Sequence, residues 1–434
     1  MEKLYLGLDI GTTSICAVAI GEDGAQHFCS TLPNDSGACV QDPLKIWAIC
    51  TSLLEEAFAA CDAARAEIAH IGVCGQMHGM LYLDESGSPV NPLYTWQDST
   101  GDELQPNGET YAQELTVLTG YPMASGFGCT TLFAHRCKGT IPACAVRVCT
   151  IHDYVAMRLC GLSRPVMHSS DAASFGLFDL ERLQFDERAL FIAGLPEKLF
   201  PRVTADWDVL GQYRGISVSV AIGDNQASFL GAAEDPRRTV LVNIGTGSQC
   251  SLATAYMAPE QIAPGAELRP LVGEQYLYVG SALCGGRAFE IAKDFFAQCA
   301  QFLTGEALTD AAAYAAMDGL LAGKPPQGET LLFDPRFAGT RQTPGLRASV
   351  TGLGTGNFTP GHLLWGLVRG MAAEIYEFYS ESGLWRDMLM GAGNGLRKNA
   401  ALRQALEQVF GIPLHIPPHC EEAARGAAKI GIRE

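Results

Sequence analysis

A chain of 434 residues exceeds one typical core and is expected to fold as two or three domains of roughly 150 residues each. Its apolar share of 47% and charged share of 18% exclude a disordered or fibrous chain. A formal charge of −17 argues against nonspecific binding to nucleic acid or anionic lipid, which needs clustered Lys and Arg, so small anionic ligands require a local device.

No apolar run reaches the length of a membrane span, and Met1-Glu2-Lys3 leads straight into an apolar run without a leader pattern; the reading is of a cytoplasmic protein with no membrane partner. The 15 Cys form no C-x-x-C and sit mostly in apolar runs. Buried reduced thiols are expected rather than a disulfide framework or zinc site.

Residues 4–18, LYLGLDIGTTSICAV, read as strand, turn and strand, with Gly11-Thr12-Thr13-Ser14 as a small, hydroxylic turn. Pro43 opens a helix whose apolar face is expected to be Leu44, Trp47, Thr51, Leu54 and Phe58. It leads to a buried strand at 68–74, and strand, helix, strand implies layered α/β architecture. Residues 89–128 read as long loops around a short helix near 111–118, and loops of that length are usually functional. A strand and helix over 146–159, a Gly/Ser-rich connection to Leu180 and a strand at 218–222 follow. After a boundary near 225–238 the opening plan returns: strand 239–244, turn Gly245-Thr246-Gly247-Ser248, strand 249–255. Helices are expected at 363–379 and 400–410, with turn-rich loops at 323–326 and 352–356.

Small residues in a strand-turn-strand hairpin let backbone N–H groups approach a phosphate, and the hydroxyls add donors. This binds anions without positive charge and suits an acidic chain. One such turn is ordinary; two point to paired phosphate cradles. The G-x-x-x-x-G-K-[ST] loop is absent, so a P-loop fold is not supported. Asp9 precedes the first turn where Asn243 precedes the second. A carboxylate beside a phosphate is repulsive unless a cation lies between them, so Asp9 is a candidate Mg²⁺ anchor, directly or through water. Asp224 in Gly223-Asp224-Asn225-Gln226 follows a strand, where open α/β sheets place ligands; the plain alternative is a helix-capping aspartate. His152 and Asp153, at a strand-to-helix join, read as buried structural residues.

These stretches resemble the FGGY carbohydrate kinases of the actin-like ATPase superfold. Residues 9–14 and 243–248 are similar to the family's two phosphate motifs. Gly391-Ala392-Gly393-Asn394, with Asn399, Gln404 and Gly411-Ile412-Pro413, is similar to its adenosine motif, and residues 421–428 to its C-terminal helix. The resemblance spans essentially the whole chain. Gly75-Gln76-Met77-His78-Gly79 and Thr95-Trp96-Gln97-Asp98 resemble the ketose kinases rather than glycerol kinase. Residues 125–131, 150–155, 159–165 and 172–174 resemble the sedoheptulokinases most closely.

The resemblance implies an α/β fold of two actin-like (ribonuclease H-like) ATPase domains with a catalytic cleft between them. The first, 1–228, would carry the sugar site, first phosphate motif and catalytic aspartate; the second, 229–434, the second phosphate and adenosine motifs. It implies ATP- and Mg²⁺-dependent phosphorylation of a ketose at its terminal primary hydroxyl. Sedoheptulose giving sedoheptulose 7-phosphate stands first, xylulose or another pentulose second, and a non-catalytic sugar- or nucleotide-binding protein third.

By the same resemblance Asp224 is the catalytic base and, with Asp9, a metal residue. Gln76, Met77, His78, Trp96, Asp98, Asn225 and Gln226 would bind sugar, the apolar faces of Trp96 and Met77 meeting its carbon skeleton. Gly11, Thr12, Thr13, Ser14, Gly245, Thr246, Gly247, Ser248, Gly286, Gly391, Gly393, Asn394 and Asn399 would bind nucleotide. The partners are a small ketose and ATP, in a monomer or homodimer. Three positions depart from the family pattern: Cys16 and Thr100 stand where a basic residue is common, and Ala392 where Gly is usual.

Overall fold

The computed structural model describes residues 2–327 and 330–433. The chain forms two compact units, Met1–Gly231 with Arg269–Tyr276 and Glu421–Glu434, and Ala232–Leu268 with Leu277–Cys420.

In the first unit β1 (Lys3–Ile10) and β2 (Ser14–Gly21) form an antiparallel hairpin, and β3 (Gln26–Pro33) pairs outside β2. Helix α1 (Pro43–Ala64) returns the chain to β4 (Glu67–Gly75), parallel to β1. After α2 (Ile151–Leu159) and α3 (Ser169–Phe175), strands β5 (Val209–Tyr213) and β6 (Ile216–Ser219) complete the order β5-β6-β4-β1-β2-β3. The strand expected at 218–222 breaks after Ser219 and resumes as β7 (Ile222–Gly223), which pairs with the end of β4 and runs into α4 (Asp224–Ala232).

Period-two alternation assigns each sheet residue its side. Leu4, Leu6, Leu8 and Ile10 of β1 and Ile15, Ala17 and Ala19 of β2 belong to the core that includes Ile46, Cys50, Leu53, Leu54, Ala57 and Cys61 of α1. Leu44, expected on that helical face, is 53% exposed. It lies two residues before Ile46, about 200° round the helix, so the buried stripe runs from Ile46 instead.

The second unit repeats the plan. β8 (Thr239–Ile244) and β9 (Ser248–Thr254) form the hairpin, and β10 (Ala266–Leu271) and β11 (Gln275–Ala282) lie beyond β9. Helices α5 (Gly286–Thr304) and α6 (Pro360–Glu381) precede β12 (Met388–Ala392), which is parallel to β8. Then come α7 (Asn394–Lys398), α8 (Ala400–Phe410) and β13 (Leu414–His415). The order β10-β11-β9-β8-β12-β13 sets a hairpin beside two parallel strands, as in the first sheet. This is the ribonuclease H-like arrangement, present twice.

The last helix, α9 (Glu422–Ile430), belongs to the first unit rather than to the 229–434 segment. Its Ala424 and Ala428 cluster with Tyr5, Cys16, Val18 and Ile20, the side of the sheet opposite α1. Close approach requires glycine: a Cβ on Gly7 or Gly72 would overlap the carbonyls of Ala424 or Ala427. The connection to Leu180 also holds more structure than its composition implies, since it contains a short strand, Val166–His168, and α3.

All 15 cysteines are free; eight are buried, but Cys29, Cys39, Cys137, Cys144 and Cys420 are exposed. Among the described residues no helix is long and apolar enough to cross a membrane.

Candidate active site

Three parallel strands of the first unit end level. Asp9 and Ile10 of β1 lie opposite Cys74 and Gly75 of β4, which in turn lie opposite Ile222 and Gly223 of β7. Gly11, Gln76 and Asp224 therefore leave the sheet along one edge, its carboxyl end.

The Cys74 thiol donates to Asp9 Oδ1 at 3.5 Å. Burial pushes the Asp9 carboxyl up to about 7, the Asp224 charge adds to the push, and Glu421 contributes less. Burial likewise raises the Asp224 carboxyl, against which His152, the Asn225 N–H and Arg269 act. Two desolvated carboxyls, one of which raises the other's proton affinity, are hard-oxygen donors of the kind Mg²⁺ takes. Cys16 lies directly across the hairpin from Asp9 and is 3% exposed beneath α9. In this chain the position carries a small residue that packs with Ala424 and Ala428.

Each hairpin turn is tied back through its carbonyls. In the first, Asn34 Nδ2 donates to Gly11 O (2.9 Å), Gln41 Nε2 to Thr12 O (2.9 Å) and the Asn34 N–H to Thr13 O (2.9 Å). In the second, the N–H groups of Gly286 and Gly285 donate to Gly245 O and Thr246 O, each at 2.8 Å. In a trans peptide the N–H points opposite the C=O. Holding the carbonyls inward turns the amides of Thr12 and Thr13, and of Thr246 and Gly247, outward, the arrangement an anion needs.

Gln76 lies against the first turn: its N–H donates to Ile10 O at 2.9 Å and its Nε2 to Gln41 Oε1 at 2.8 Å, while its Oε1 accepts from Thr12 Oγ1 at 3.1 Å. The Trp96 indole N–H donates to the same Thr12 oxygen at 2.9 Å, and 48% of Trp96 is exposed. His78 is held at φ 74°, with its N–H on Ser174 Oγ (3.0 Å), Nδ1 on Ser174 O (2.8 Å) and its ring stacked on Phe127 at 4.7 Å. Asp98, 7% exposed, accepts from Thr100 Oγ1 (2.8 Å) and Thr131 Oγ1 (3.0 Å). A hydroxyl thus stands in for the family's usual arginine. Met77 and Gln226 crowd Gly223, where a Cβ would meet Met77 Sδ and Gln226 Oε1 at 2.8 Å. Asn225 and Gln226 follow Asp224 in the first turn of α4, and buried Gln226 donates to Pro270 O at 2.9 Å.

In the second unit Gly286 adjoins the hairpin turn, and Gly393 (φ 84°) packs against Asn243 and Ile244, with Asn394 opening α7. Two further expected nucleotide residues have packing and capping contacts. Gly391 is packed against the side chains of Ile416, Leu396 and Leu414, so its missing Cβ serves the core. The Asn399 side-chain oxygen caps α8 through the Leu402 N–H at 2.9 Å.

Residues missed in the sequence hold the site from behind. Ser170 Oγ accepts the Gly223 N–H at 3.1 Å, just before Asp224, and contacts His168 Nδ1 at 2.8 Å. His152 pairs with Asp171 at 3.0 Å, both fully buried, while Asp153 closes a capping box with Thr150. These three approach one another closely enough to surround a cation, but the His152–Asp171 contact and the cap account for their positions. His152 and Asp153 are buried at a strand-to-helix join as read from the sequence, whereas Ser170 and Asp171 were signalled only by the hydroxyl-rich run Ser169-Ser170-Asp171. Asn34, Gln41 and Arg269 had none, because each acts through a distant backbone or charge.

Sequence profiles of the FGGY family of carbohydrate kinases match residues 4–241 (N-terminal domain) and 240–434 (C-terminal domain). The chain is 28% identical to human sedoheptulokinase over 482 aligned positions, covering 100% of this chain and 98% of that protein. It is 30% identical to xylulose kinase of Streptomyces rubiginosus over 266 positions, covering 56% of this chain and 53% of that one. The structure of xylulose kinase from Rhodospirillum rubrum superposes with a TM-score of 0.82 at 22% identity, covering 98% and 89% of the two chains.

Proposed function

The chain belongs to the FGGY family of carbohydrate kinases, and from that membership we propose that it transfers the γ-phosphoryl group of ATP to the terminal primary hydroxyl of a ketose, sedoheptulose before xylulose. The observation that carries the chemistry is the common edge at which Gly11, Gln76 and Asp224 leave three parallel strands, with Asp9 one residue inside it. The choice of sedoheptulose is supported by the full-length similarity to human sedoheptulokinase and by the sugar-side stretches at 75–79, 95–98 and 125–131.

Phosphoryl transfer needs in-line positioning, charge neutralisation and a group that takes the alcohol proton. Asp224 takes it: burial makes its carboxyl a stronger base than an exposed aspartate. Gln76, His78, Asp98, Asn225 and Gln226 orient the sugar hydroxyls, and Trp96 and Met77 cover its carbon skeleton. The outward amides of the two hairpins receive phosphate oxygens, with Gly286, Gly393 and Asn394 on the nucleotide side. Asp9 and Asp224 would hold Mg²⁺, which would supply charge neutralisation at those oxygens.

Initial rates with sedoheptulose, D-xylulose, D-ribulose and glycerol at equal low concentration are expected to be fastest with sedoheptulose. A clear preference for xylulose moves the assignment to a pentulose kinase, and no sugar-dependent ADP release with any of them points to a binding protein without transfer. Asp224→Asn is expected to lower kcat roughly a hundredfold or more. Its melting temperature should hold or rise, because a carboxylate that burial disfavours has been removed.

A further inference from the structure

Helix α3 sends side chains to both the catalytic base and the sugar side. Near its start Ser170 Oγ accepts the N–H of Gly223, the residue before Asp224, at 3.1 Å. One turn on, Ser174 holds His78 twice: its Oγ accepts the His78 N–H at 3.0 Å, and its carbonyl meets His78 Nδ1 at 2.8 Å. The Ser174 hydroxyl donates its own proton to Asp171 O at 2.8 Å, so its oxygen faces His78 as an acceptor. A carbonyl only accepts, so His78 Nδ1 carries the ring proton, and in the neutral imidazole the lone pair lies on Nε2.

The ring plane is set as well. Phe127 stacks on His78 with centroids 4.7 Å and planes 4° apart. Phe127 leads into the helix Gly128–Lys138, which rests on the end of α3: a Cβ on Gly128 would meet the Phe175 ring at 2.7 Å, and the Cys129 thiol donates to Gly176 O at 3.3 Å. His78 itself stands at φ 74°, a left-handed conformation that favours glycine. A histidine kept there, half-buried between the buried pairs Gln76-Met77 and Gly79-Met80, points to a use for its side chain.

We propose that Ser174 and Phe127 are positioning residues for the sugar, acting through His78, and that Ser170 on the same helix positions Asp224. Ser174 and Phe127 fix the tautomer, ring plane and strained backbone of His78 so that Nε2 accepts from a ketose hydroxyl. An acceptor nitrogen selects a hydroxyl, which donates, over a carbonyl oxygen, which does not. This rests on the kinase reading above, and it separates the two serines: Ser174 acts on sugar binding and Ser170 on transfer.

The test uses the full chain and the ketose ranked first by the substrate panel, or sedoheptulose where none turns over. Ser174→Ala is expected to raise the sugar Kd in calorimetry about tenfold, the size of one lost buried hydrogen bond, with KM for ATP within about twofold. Ser170→Ala is expected to lower kcat about tenfold with sugar Kd within about twofold. Because Ser174 acts through His78, Ser174→Ala adds no further loss of sugar affinity in a His78→Gly background, whose backbone suits φ 74°. Imidazole nitrogen NMR, with the His78 signals assigned by their loss in His78→Gly, should show the proton on Nδ1 and an Nε2 signal that moves on adding sugar. Should Ser174→Ala fold poorly, Phe127→Leu keeps the apolar bulk, removes the stack and takes its place in the same cycle. Sugar Kd unchanged in Ser174→Ala, losses that add fully in the His78→Gly background, kcat unchanged in Ser170→Ala, or a neutral ring protonated on Nε2 would each overturn the proposal. Sugar Kd and the nitrogen spectra need no turnover, so they test His78 by themselves, whereas failure of the kinase reading shows as absent ADP release in the substrate panel.

Discussion

Asp98 shows how one residue's neighbours decide what a departure from a family pattern means. With Thr100 in place of an arginine, its two carboxylate oxygens accept from two threonine hydroxyls, one of them the buried Thr131. Thr131→Val keeps the shape and removes one donor to a buried charge. It should therefore cost about 1–3 kcal/mol, read as a lower urea midpoint with unchanged slope, while Thr131→Ser stays near wild type. Cys16 illustrates the complementary case. Its place two residues beyond the turn is plain in the sequence, but its register opposite Asp9 and its packing with Ala424 and Ala428 of α9 are not. A residue's identity is local; its partner, as Gln226 with the Pro270 carbonyl, is set by chain brought in from far away.

At the scale of elements, the two hairpins and the helices at 400–410 and 111–119 were legible because periodicity, turn residues and caps all agree there. The apolar face of α1 was read one stripe off, since Leu44 is apolar yet points outward from the capped first turn. Helix α3 went unread because it has seven residues and is held by the His168 and Ser170 side chains rather than by an apolar stripe. The packing of α9 on the first sheet depends on glycine at two strand positions. Gly72→Ala would drive a Cβ into the Ala427 carbonyl and is expected to cost about 3 kcal/mol, with faster proteolysis at the C-terminus. Gly319→Ala, where a helical Cβ meets nothing, should instead gain about 0.5–1 kcal/mol. Equal effects from the two would mean that α9 does not pack as described.

At the scale of the whole molecule, each unit has its own core and its own buried charges. In the second, Glu374 is 6% exposed and burial pushes its carboxyl up to about 7, despite Arg336 at 3.4 Å. A carboxyl whose folded value lies above its unfolded one binds its proton more tightly when folded. Its contribution is most favourable below the unfolded value near 4.5 and is lost as pH rises towards 7. Glu374→Gln, which resembles the protonated acid, should therefore be nearly neutral at pH 5 and stabilising at pH 8, by up to about 3 kcal/mol; melting curves at the two pH values check the sign. By itself the sequence determined the fold class, the duplicated hairpins and the order of the motifs along the chain, because strand alternation, turn chemistry and short motifs are written in neighbouring residues. Only the tertiary structure decided that α9 returns to the first sheet, that Gly391 packs in the core and Asn399 caps a helix, and that the Thr12 hydroxyl meets Gln76 and Trp96. Those outcomes rest on which donors and carbonyls meet across tens or hundreds of residues, and that depends on how strands register and helices cross rather than on any local pattern.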